Sequence, residues 1–276
     1  MNIGSFRACM ISAMLVCLGL AISPAVADEK VRLQWFGQSA FKLVSPGGKT
    51  ILIDPFITKN PKTPEVHKDL SKLGPVDLIL VTHGHGDHIG DTVAIAKMAG
   101  AKVALNADMG RTFHSLGWLD MKQMIRFNKS GPIQPLGEGI TITMVRAEHS
   151  SAVRMKDAET GKEIIHNGGE PAGYIITLEN GYTLYHAGDT GVFGDMAFIG
   201  QYYKPDIALL PIGGHFTMDP MHAAYAAREL LKVPLVVPMH YGTFPPLKGT
   251  PELLQKALAD TTLKVMVMSP GQETTL

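Results

Sequence analysis

Apolar and polar residues follow one another along this chain in short runs that have the length of β-strands. Residues 140–145 largely alternate apolar and polar side chains, which predicts a strand with one buried face. Residues 76–81 are almost continuously apolar, as in a strand that is covered on both faces. Further runs of strand length lie at residues 31–36, 40–44, 50–53, 102–105, 174–178, 183–186, 207–210, 235–237 and 263–268.

Other segments have the spacing of helices. Residues 89–98 and 109–116 place apolar side chains three and four positions apart. The dipeptide Asp219-Pro220 has the residue types of an N-cap and a first helical position, and it opens a predicted helix to about Leu231. A last helix is predicted at residues 252–259. Strands come first in clusters and then alternate with helices, without an internal repeat or a long linker, so the sequence predicts a mixed α/β fold with more than one sheet.

The N-terminal segment has the pattern of a cleavable signal peptide. Arg7 supplies the positive charge, residues 8–22 are apolar, and residues 23–27 end with small side chains at the positions that signal peptidase accepts. A membrane anchor is the alternative, but 15 apolar residues fall short of the roughly 18–20 that span a bilayer. We therefore predict a signal peptide at residues 1–27, cleavage before Asp28, and a secreted or periplasmic mature chain without stable membrane insertion.

Composition and charge exclude some classes of protein. The chain has 276 residues, with 25 Lys+Arg against 25 Asp+Glu and no dense basic run, so a nucleic-acid partner is not expected. Both cysteines, Cys9 and Cys17, lie in the predicted signal peptide. The mature chain therefore has no disulfide and no thiolate, and its stability depends on its hydrophobic core. Its length suits one large domain at residues 28–276.

The densest cluster of chemically reactive residues follows the apolar run at residues 76–81. It is the segment Thr-His-Gly-His-Gly-Asp-His, which contains His83, His85, Asp87 and His88. Imidazole and carboxylate groups bind zinc-like ions, and glycine allows a tight loop to turn several of them toward one point. A solvated polar loop is the alternative, but four ligand types at this spacing rarely coincide by chance. The segment therefore predicts a metal site.

A metal site on one loop needs further ligands from distant parts of the chain. His149, Asp189 and His240 are the candidates, because each lies just beyond a predicted strand and beside a small or turn-forming residue. His186 ends a predicted strand, which is typical of a core histidine. Asp54 also follows a predicted strand, and it fits two interpretations, a carboxylate that orients a ligand histidine or a cap of a turn.

These residues together resemble the metallo-β-lactamase superfamily, whose motif His-x-His-x-Asp-His is followed by a distant His, Asp and His. The chain is most similar to uncharacterised metal-dependent hydrolases related to ascorbate-6-phosphate lactonase. Further segments that carry this resemblance are residues 169–174, 185–191, 210–214, 216–218 and 238–245. It covers nearly the whole mature chain. It implies an αββα sandwich, in which two mixed sheets pack face to face with helices outside and the metals at one edge.

The resemblance also implies two divalent metal ions, with zinc as the first candidate and manganese, iron or nickel as alternatives. The ligands that it implies are His83, His85 and His149 for the first ion, Asp87, His88 and His240 for the second, and Asp189 as a bridge between them. A carboxylate bridge favours the esterase, lactonase and phosphodiesterase branches over the zinc β-lactamases that use a cysteine near that position.

Two such ions, about 3.5–4 Å apart, would share a hydroxide, because coordination lowers the pKa of water from about 16 to about 7. We expect this hydroxide to be the nucleophile and Asp87 to accept a proton during the reaction. His215 is the candidate for stabilising the oxyanion or protonating the leaving group, with a plain loop residue as the alternative. Relatives usually carry Gly-His-Ser or Gly-His-Ala after the first strand, whereas this chain has Gln38 in place of that histidine, and glutamine does not titrate.

The sequence therefore predicts a metal-dependent hydrolase that cleaves an ester, lactone or phosphodiester bond of a small-molecule substrate. Two alternatives stay open. One is a periplasmic metal-binding protein without turnover, and the other is a nuclease-type phosphodiesterase. The absence of a basic run and the predicted export signal argue against the nuclease.

Overall fold

The structure, a computed structural model, describes Met1 and residues 30–276. The predicted signal peptide, apart from Met1, and its cleavage site before Asp28 therefore lie outside the described residues and stay predictions. In the described part of the chain, no helix has the length and the apolar character needed to cross a membrane.

The described residues form strands, short helices and 3-10 turns. The strands are β1 (Arg32–Gly37), β2 (Ala40–Val44), β3 (Thr50–Ile53), β4 (Leu78–Val81), β5 (Lys102–Asn106), β6 (Met124–Phe127), β7 (Pro132–Ile133), β8 (Thr141–Arg146), β9 (Ala152–Lys156), β10 (Glu163–Asn167), β11 (Ala172–Thr177), β12 (Thr183–His186), β13 (Ile207–Pro211), β14 (Leu235–Met239), β15 (Lys264–Val265) and β16 (Glu273–Thr275). The helices are α1 (Gly86–Ile89), α2 (Thr92–Ala99), α3 (Ala107–Ser115), α4 (Met196–Tyr203), α5 (Pro220–Tyr225), which continues as a π-helical segment (Ala226–Leu231), and α6 (Pro251–Ala257). The 3-10 turns are Glu65–His67, Leu70–Leu73 and Met121–Gln123.

The strands form two large sheets and a separate hairpin within residues 30–276. The first sheet has the strand order β16-β1-β2-β3-β4-β5-β6 and the second β15-β14-β13-β12-β11-β8-β7, while β9 and β10 form the hairpin. Strands β3 to β6 run parallel in the first sheet, and β12 to β15 run parallel in the second. The carboxyl ends of parallel strands meet at one edge of a sheet, where ligands of α/β proteins usually bind.

The two sheets pack face to face around the main hydrophobic core. Leu33 and Leu80 of the first sheet and Tyr174 and Leu209 of the second are buried there. Burial of each such side chain stabilises the fold by about 1.5–3 kcal/mol. The Tyr174 hydroxyl also donates a hydrogen bond to the carbonyl oxygen of Val81 at 2.7 Å, which joins β11 to the end of β4.

Helices cover the outer faces of both sheets. Helices α2 and α3 pack on the first sheet through Ile95 and Phe113. Helices α4, α5 and α6 pack on the second sheet through Ile199, Ala224 and Leu254. These layers confirm the predicted αββα sandwich, in which two mixed sheets lie between helices.

Some elements differ from the prediction. The helix predicted at residues 89–98 is divided between α1 and α2 by Gly90, whose φ is +44°. A Cβ atom at Gly90 would lie 2.6 Å from Cα of Phe56, so glycine allows the loop after β3 to pack on this turn. By contrast, Asp219 caps α5 as predicted and accepts a hydrogen bond from the His222 N–H at 2.8 Å. Six helices and strands were not predicted from the sequence: α4, β6, β7, β9, β10 and β16.

Candidate metal centre

The histidine-rich segment forms a tight loop between β4 and α1. Strand β4 ends at Val81, and His83 follows two residues later with a fully buried side chain. His85 is the N-cap residue of α1, and Asp87 and His88 lie within this short helix. The loop therefore brings four candidate ligands to the carboxyl end of β4.

The three distant candidates also follow strands. His149 lies three residues after β8, Asp189 three residues after β12, and His240 directly after β14. His240 has a φ of +54°, a conformation that residues other than glycine seldom adopt. Its backbone N–H donates a hydrogen bond to the carbonyl oxygen of Gln38 at 3.0 Å. The turn after β1 of the first sheet therefore supports the backbone of a candidate ligand from the second sheet.

All seven predicted ligands come together in space. The first group is His83, His85 and His149, the second is Asp87, His88 and His240, and within each group the candidate ligand atoms lie within 4.8 Å of one another. In the first group, Nδ1 of His85 is 2.9 Å from Nε2 of His83 and 3.3 Å from Nε2 of His149. In the second, Oδ2 of Asp87 is 3.7 Å from Nε2 of His88 and 3.6 Å from Nε2 of His240. Three protein ligands per ion is the number that catalytic zinc sites commonly provide.

Asp189 lies between the two groups. Its Oδ2 atom is 4.0 Å from Nε2 of His83 and 3.6 Å from Nε2 of His149, both in the first group. The same oxygen is 3.3 Å from Nε2 of His88 and 3.0 Å from Nε2 of His240, both in the second. One carboxylate oxygen thus faces histidine nitrogens of both groups.

Several polar atoms in this cluster are buried without a hydrogen bond. They include Nε2 of His88, Nε2 of His240 and Oδ1 of Asp189. Buried polar atoms are nearly always hydrogen-bonded, so each exception needs an explanation such as a bound ion. Nitrogen and carboxylate atoms that converge in this way fit divalent cations of the zinc type.

A buried carboxylate orients the histidines of the loop. Oδ2 of Asp54 is 2.7 Å from Nδ1 of His88 and accepts a hydrogen bond from the Thr82 hydroxyl at 2.6 Å. Oδ1 of Asp54 accepts another from the Thr82 N–H at 2.8 Å, and the Thr82 hydroxyl is 3.0 Å from Nδ1 of His83. Because Asp54 engages Nδ1 of His88, it directs Nε2 toward the cluster, which favours the orienting interpretation over the turn cap.

Gln38 reaches the cluster from the turn between β1 and β2. Its side chain is fully buried, and its Nε2 donates a hydrogen bond to Oδ2 of Asp87 at 2.8 Å. Its backbone carbonyl accepts a hydrogen bond from the indole N–H of Trp35 at 3.0 Å, and its φ is +52°. In the sequence, Gln38 is recognisable only as a departure from the pattern of its relatives. The structure assigns it a contact that restrains Asp87.

The histidines of the two groups differ in the direction of their pKa shifts. Burial lowers the pKa of His83 well below its usual value and lowers the pKa of His85 to about 4. Burial also disfavours protonation of His240, but the nearby carboxylates of Asp189 and Asp87 together outweigh it and raise the pKa of His240 to about 9. The first group therefore offers neutral imidazoles with a free lone pair, whereas the carboxylates of Asp87 and Asp189 attract positive charge to the second group.

A cavity of about 690 Å³ opens on the cluster. Its lining includes the candidate ligands His85, Asp87, His149, Asp189 and His240, the amide Gln38, the basic residues Lys59 and Arg154, and the apolar residues Phe56, Phe216, Phe244 and Leu247. This volume suits a small-molecule substrate. The basic residues of the lining belong to no recognisable motif. Phe216 and Phe244 lie in segments that carry the resemblance to the superfamily, but nothing in the sequence assigns these rings a position beside the cluster.

His215 is not among the described residues that line this cavity. Its side chain is exposed, its φ is +63°, and its ring packs edge-on against Phe216 with 4.4 Å between ring centres. The catalytic role suggested for His215 therefore stays a prediction. His186 is a buried histidine with both ring nitrogens engaged, as expected: Nε2 is 3.0 Å from the Ser39 carbonyl oxygen, and Nδ1 accepts a hydrogen bond from the Gly188 N–H at 3.1 Å.

Similarity to known proteins extends over most of the chain. Residues 49–241 match the family model of the beta-lactamase superfamily domain. A UPF0173 metal-dependent hydrolase from Cupriavidus necator is 46% identical over 282 aligned residues, which cover 97% of this chain and 98% of the relative. Another protein of that name, from Polaromonas sp., is 49% identical and covers 96% of this chain and 98% of its own length.

A solved structure agrees with these relatives. A metallo hydrolase from the hyperthermophilic archaeon Ignicoccus hospitalis is 40% identical and has a TM-score of 0.77, over 90% of this chain and 98% of that chain. The relation to ascorbate-6-phosphate lactonase stays a prediction. The family model, the relatives and the shared fold agree, and the chain belongs to the beta-lactamase superfamily, among the UPF0173 metal-dependent hydrolases.

Proposed function

We propose that this protein uses two divalent cations, with zinc as the first candidate, to hydrolyse an ester, lactone or phosphodiester bond of a small substrate. The observation that carries the proposal is the position of Asp189. Its Oδ2 atom lies 3.0–4.0 Å from Nε2 atoms of four histidines, two from each group. A single carboxylate oxygen between two sets of nitrogen ligands favours a pair of ions over one.

Bound cations of this type supply an activated water at neutral pH and polarise the oxygen of the bond to be cleaved. Other residues of the chain hold the side chains of the cluster in position. Asp54 fixes the ring of His88, and Gln38 fixes the carboxylate of Asp87. Asp87 lines the cavity, and we assign it the uptake of the proton that the attacking water loses.

Hydrolysis consumes one water molecule. The water oxygen forms a bond to the carbonyl or phosphoryl centre, and the bond from that centre to the leaving oxygen breaks. One proton of the water passes to Asp87 and from there to the leaving oxygen, which becomes an alcohol, so the Asp87 carboxylate is restored. The other hydrogen of the water stays with the new acid group, which ionises at neutral pH. The walls of the cavity hold the substrate beside Asp87 and Asp189 while this exchange takes place.

Asp189→Asn tests the proposal, because it keeps the shape of the side chain and removes the charge that faces both groups. We expect elemental analysis to find two zinc ions per wild-type chain and one or fewer in the variant. Turnover of a panel of esters, lactones and phosphodiesters should fall at least about 100-fold. His114→Ala is the matched control, because His114 is an exposed histidine on α3 outside the cluster.

The same measurements decide between the alternatives. Two tightly bound ions without hydrolysis of any member of the panel would favour a metal-binding protein without turnover. Cleavage of single-stranded nucleic acid in preference to small diesters would favour a nuclease. Full turnover by Asp189→Asn would overturn the mechanism with two cations.

We further propose that the protein is exported and acts in the periplasm or outside the cell. The support is the apolar stretch at residues 8–22 and the small residues that precede Asp28. N-terminal sequencing of the protein from the periplasmic fraction should begin at Asp28. A protein that keeps Met1 and stays in the cytoplasmic fraction would contradict export.

A further inference from the structure

We infer that the substrate joins an apolar chain or ring to an anionic group, a carboxylate or a phosphate, and that Lys59 and Arg154 bind the anionic group. This inference rests on the proposed function, because it concerns the cavity that opens on the candidate metal centre. Three features of the cavity support it: its charge, the fixed placement of its two cationic residues, and the exposure of its aromatic residues.

The charge of the cavity outside the metal ligands is positive. Its carboxylates are Asp87 and Asp189, and both belong to the cluster. Lys59 and Arg154 complete the charged lining, and neither lies within 4.0 Å of a carboxylate oxygen of residues 30–276. Once cations offset the charge of the two carboxylates, two basic side chains are left to attract an anion.

The backbone that carries Lys59 is held in place. The N–H groups of Ile57 and Thr58 both donate hydrogen bonds to Oδ2 of Asp91, at 2.9 and 2.8 Å. On the other side, Asn60 is fully buried and its side chain accepts a hydrogen bond from a backbone N–H two residues later. These contacts on both sides fix the backbone position of Lys59, although its exposed side chain is flexible.

Arg154 is placed by the hairpin of β9 and β10. Val153, its neighbour on β9, is fully buried in the core outside the first sheet. Successive side chains of a strand point to opposite faces, so Arg154 lies on the face away from that core and lines the cavity. Its cross-strand partner Ile165 shares this face and is 63% exposed, which places an apolar side chain beside the guanidinium.

Aromatic side chains supply the apolar part of the site. Phe216 is 58% exposed and Phe244 is 38% exposed, and both line the cavity together with Leu247 and Phe56. Large apolar side chains that stay exposed around a cavity are typical of a ligand-binding surface. A small molecule that carries only charge would leave these rings in water, so the substrate has an apolar part as well as an anionic one.

Binding by calorimetry tests the inference independently of turnover. The probes for the zinc-loaded protein are 4-phenylbutyrate, the neutral 4-phenylbutan-1-ol and butyrate, which lacks the ring. We expect 4-phenylbutyrate to bind at least about tenfold more tightly than either of the others. In the double variant Lys59→Gln/Arg154→Gln, we expect the affinity for 4-phenylbutyrate to fall about tenfold and that for the alcohol to stay within twofold.

The matched control is the double variant Lys97→Gln/Arg111→Gln, which removes two exposed cations from α2 and α3 outside the cavity lining. Equal affinity of the wild type for 4-phenylbutyrate and its alcohol would overturn the inference. So would an equal effect of the two double variants, which would mean that the carboxylate binds the metal ions or responds only to net charge. If the zinc-loaded protein binds 4-phenylbutyrate selectively but hydrolyses none of the esters, lactones and phosphodiesters, the proposed function is wrong and the anion-binding site is supported.

Discussion

Replacement of Asp54 by asparagine tests how His88 is kept in its ligating form. The Asp54 carboxylate lies 2.7 Å from Nδ1 of His88, so Nδ1 carries the hydrogen and Nε2 presents a lone pair to the cluster. In the wild type, Oδ1 of Asp54 accepts a hydrogen bond from the Thr82 N–H at 2.8 Å. The amide oxygen of Asp54→Asn can still accept this hydrogen bond, and the NH₂ group of the asparagine then faces His88. An NH₂ donor there favours the tautomer that carries its hydrogen on Nε2, the atom that would bind the ion.

The magnitude follows from burial. Both side chains are 0% exposed, and a hydrogen bond to a charged group contributes about 1.5–3 kcal/mol. At about 1.4 kcal/mol per tenfold change, this corresponds to roughly 10- to 150-fold weaker binding of the cation by the group that contains His88. The range agrees with the roughly 10- to 100-fold effect of residues that orient metal ligands. The group that contains His85 reaches Asp54 only indirectly, through the Thr82 hydroxyl beside Nδ1 of His83, so its affinity should fall by less than that of the group that contains His88.

The assay is competition between metal-free protein and a chromophoric chelator for zinc at neutral pH. Asp77→Asn is the matched control, because Asp77 accepts a hydrogen bond from the Thr50 N–H at 2.8 Å, at the opposite end of β3 from Asp54. Thermal unfolding of both variants separates a loss of fold from a loss of affinity. An Asp54→Asn variant that folds and binds zinc as tightly as the control does would contradict this role of Asp54.

Three further changes test other contacts. Gln38→Met removes the hydrogen bond to Asp87 and keeps the side-chain length, so kcat should fall about tenfold. Elemental analysis should still find two bound ions in this variant. An unchanged kcat would mean that the contact is dispensable. Gly90→Ala places a Cβ against the Pro55 carbonyl, and urea denaturation should show a free energy of unfolding about 2–4 kcal/mol lower, whereas equal stability would contradict this packing. His215→Ala should lower kcat less than tenfold, because the side chain is exposed outside the cavity lining; a loss of about 100-fold or more would support a general acid there.

The fold was most predictable where strands are buried. Strands β2, β3 and β12 have the bounds predicted from the sequence, since nearly all of their side chains are buried and the apolar runs end at turn residues. The hairpin of β9 and β10 was missed because most of its side chains are exposed or partly exposed, so its apolar residues follow no clear period. The division of residues 89–98 into two helices depends on the loop that packs on Gly90, which is a tertiary contact.

In the candidate site, too, some features could be predicted from the sequence and others depend on tertiary packing. The meeting of the seven candidate ligands in one cluster was predictable because histidine and aspartate are specific in type, and each follows an apolar run that marks a strand. The contact of Gln38 with Asp87 joins residues 49 positions apart, and it depends on how the turn after β1 packs against α1. Lys59 and Arg154 are ordinary surface residues in the sequence, and only the packing of their segments around one cavity gives them a shared environment.

The candidate ligands of the cluster come from both halves of the sandwich. His83, His85, Asp87 and His88 follow a strand of the first sheet, and His149, Asp189 and His240 follow strands of the second. Any cation bound there is a cross-link between the sheets, in a chain whose residues 30–276 contain no cysteine for a covalent one. A ligand that binds only the folded state stabilises it in proportion to the logarithm of its concentration. The lifetime of the folded protein, and its resistance to proteases, should therefore follow the supply of metal in its surroundings.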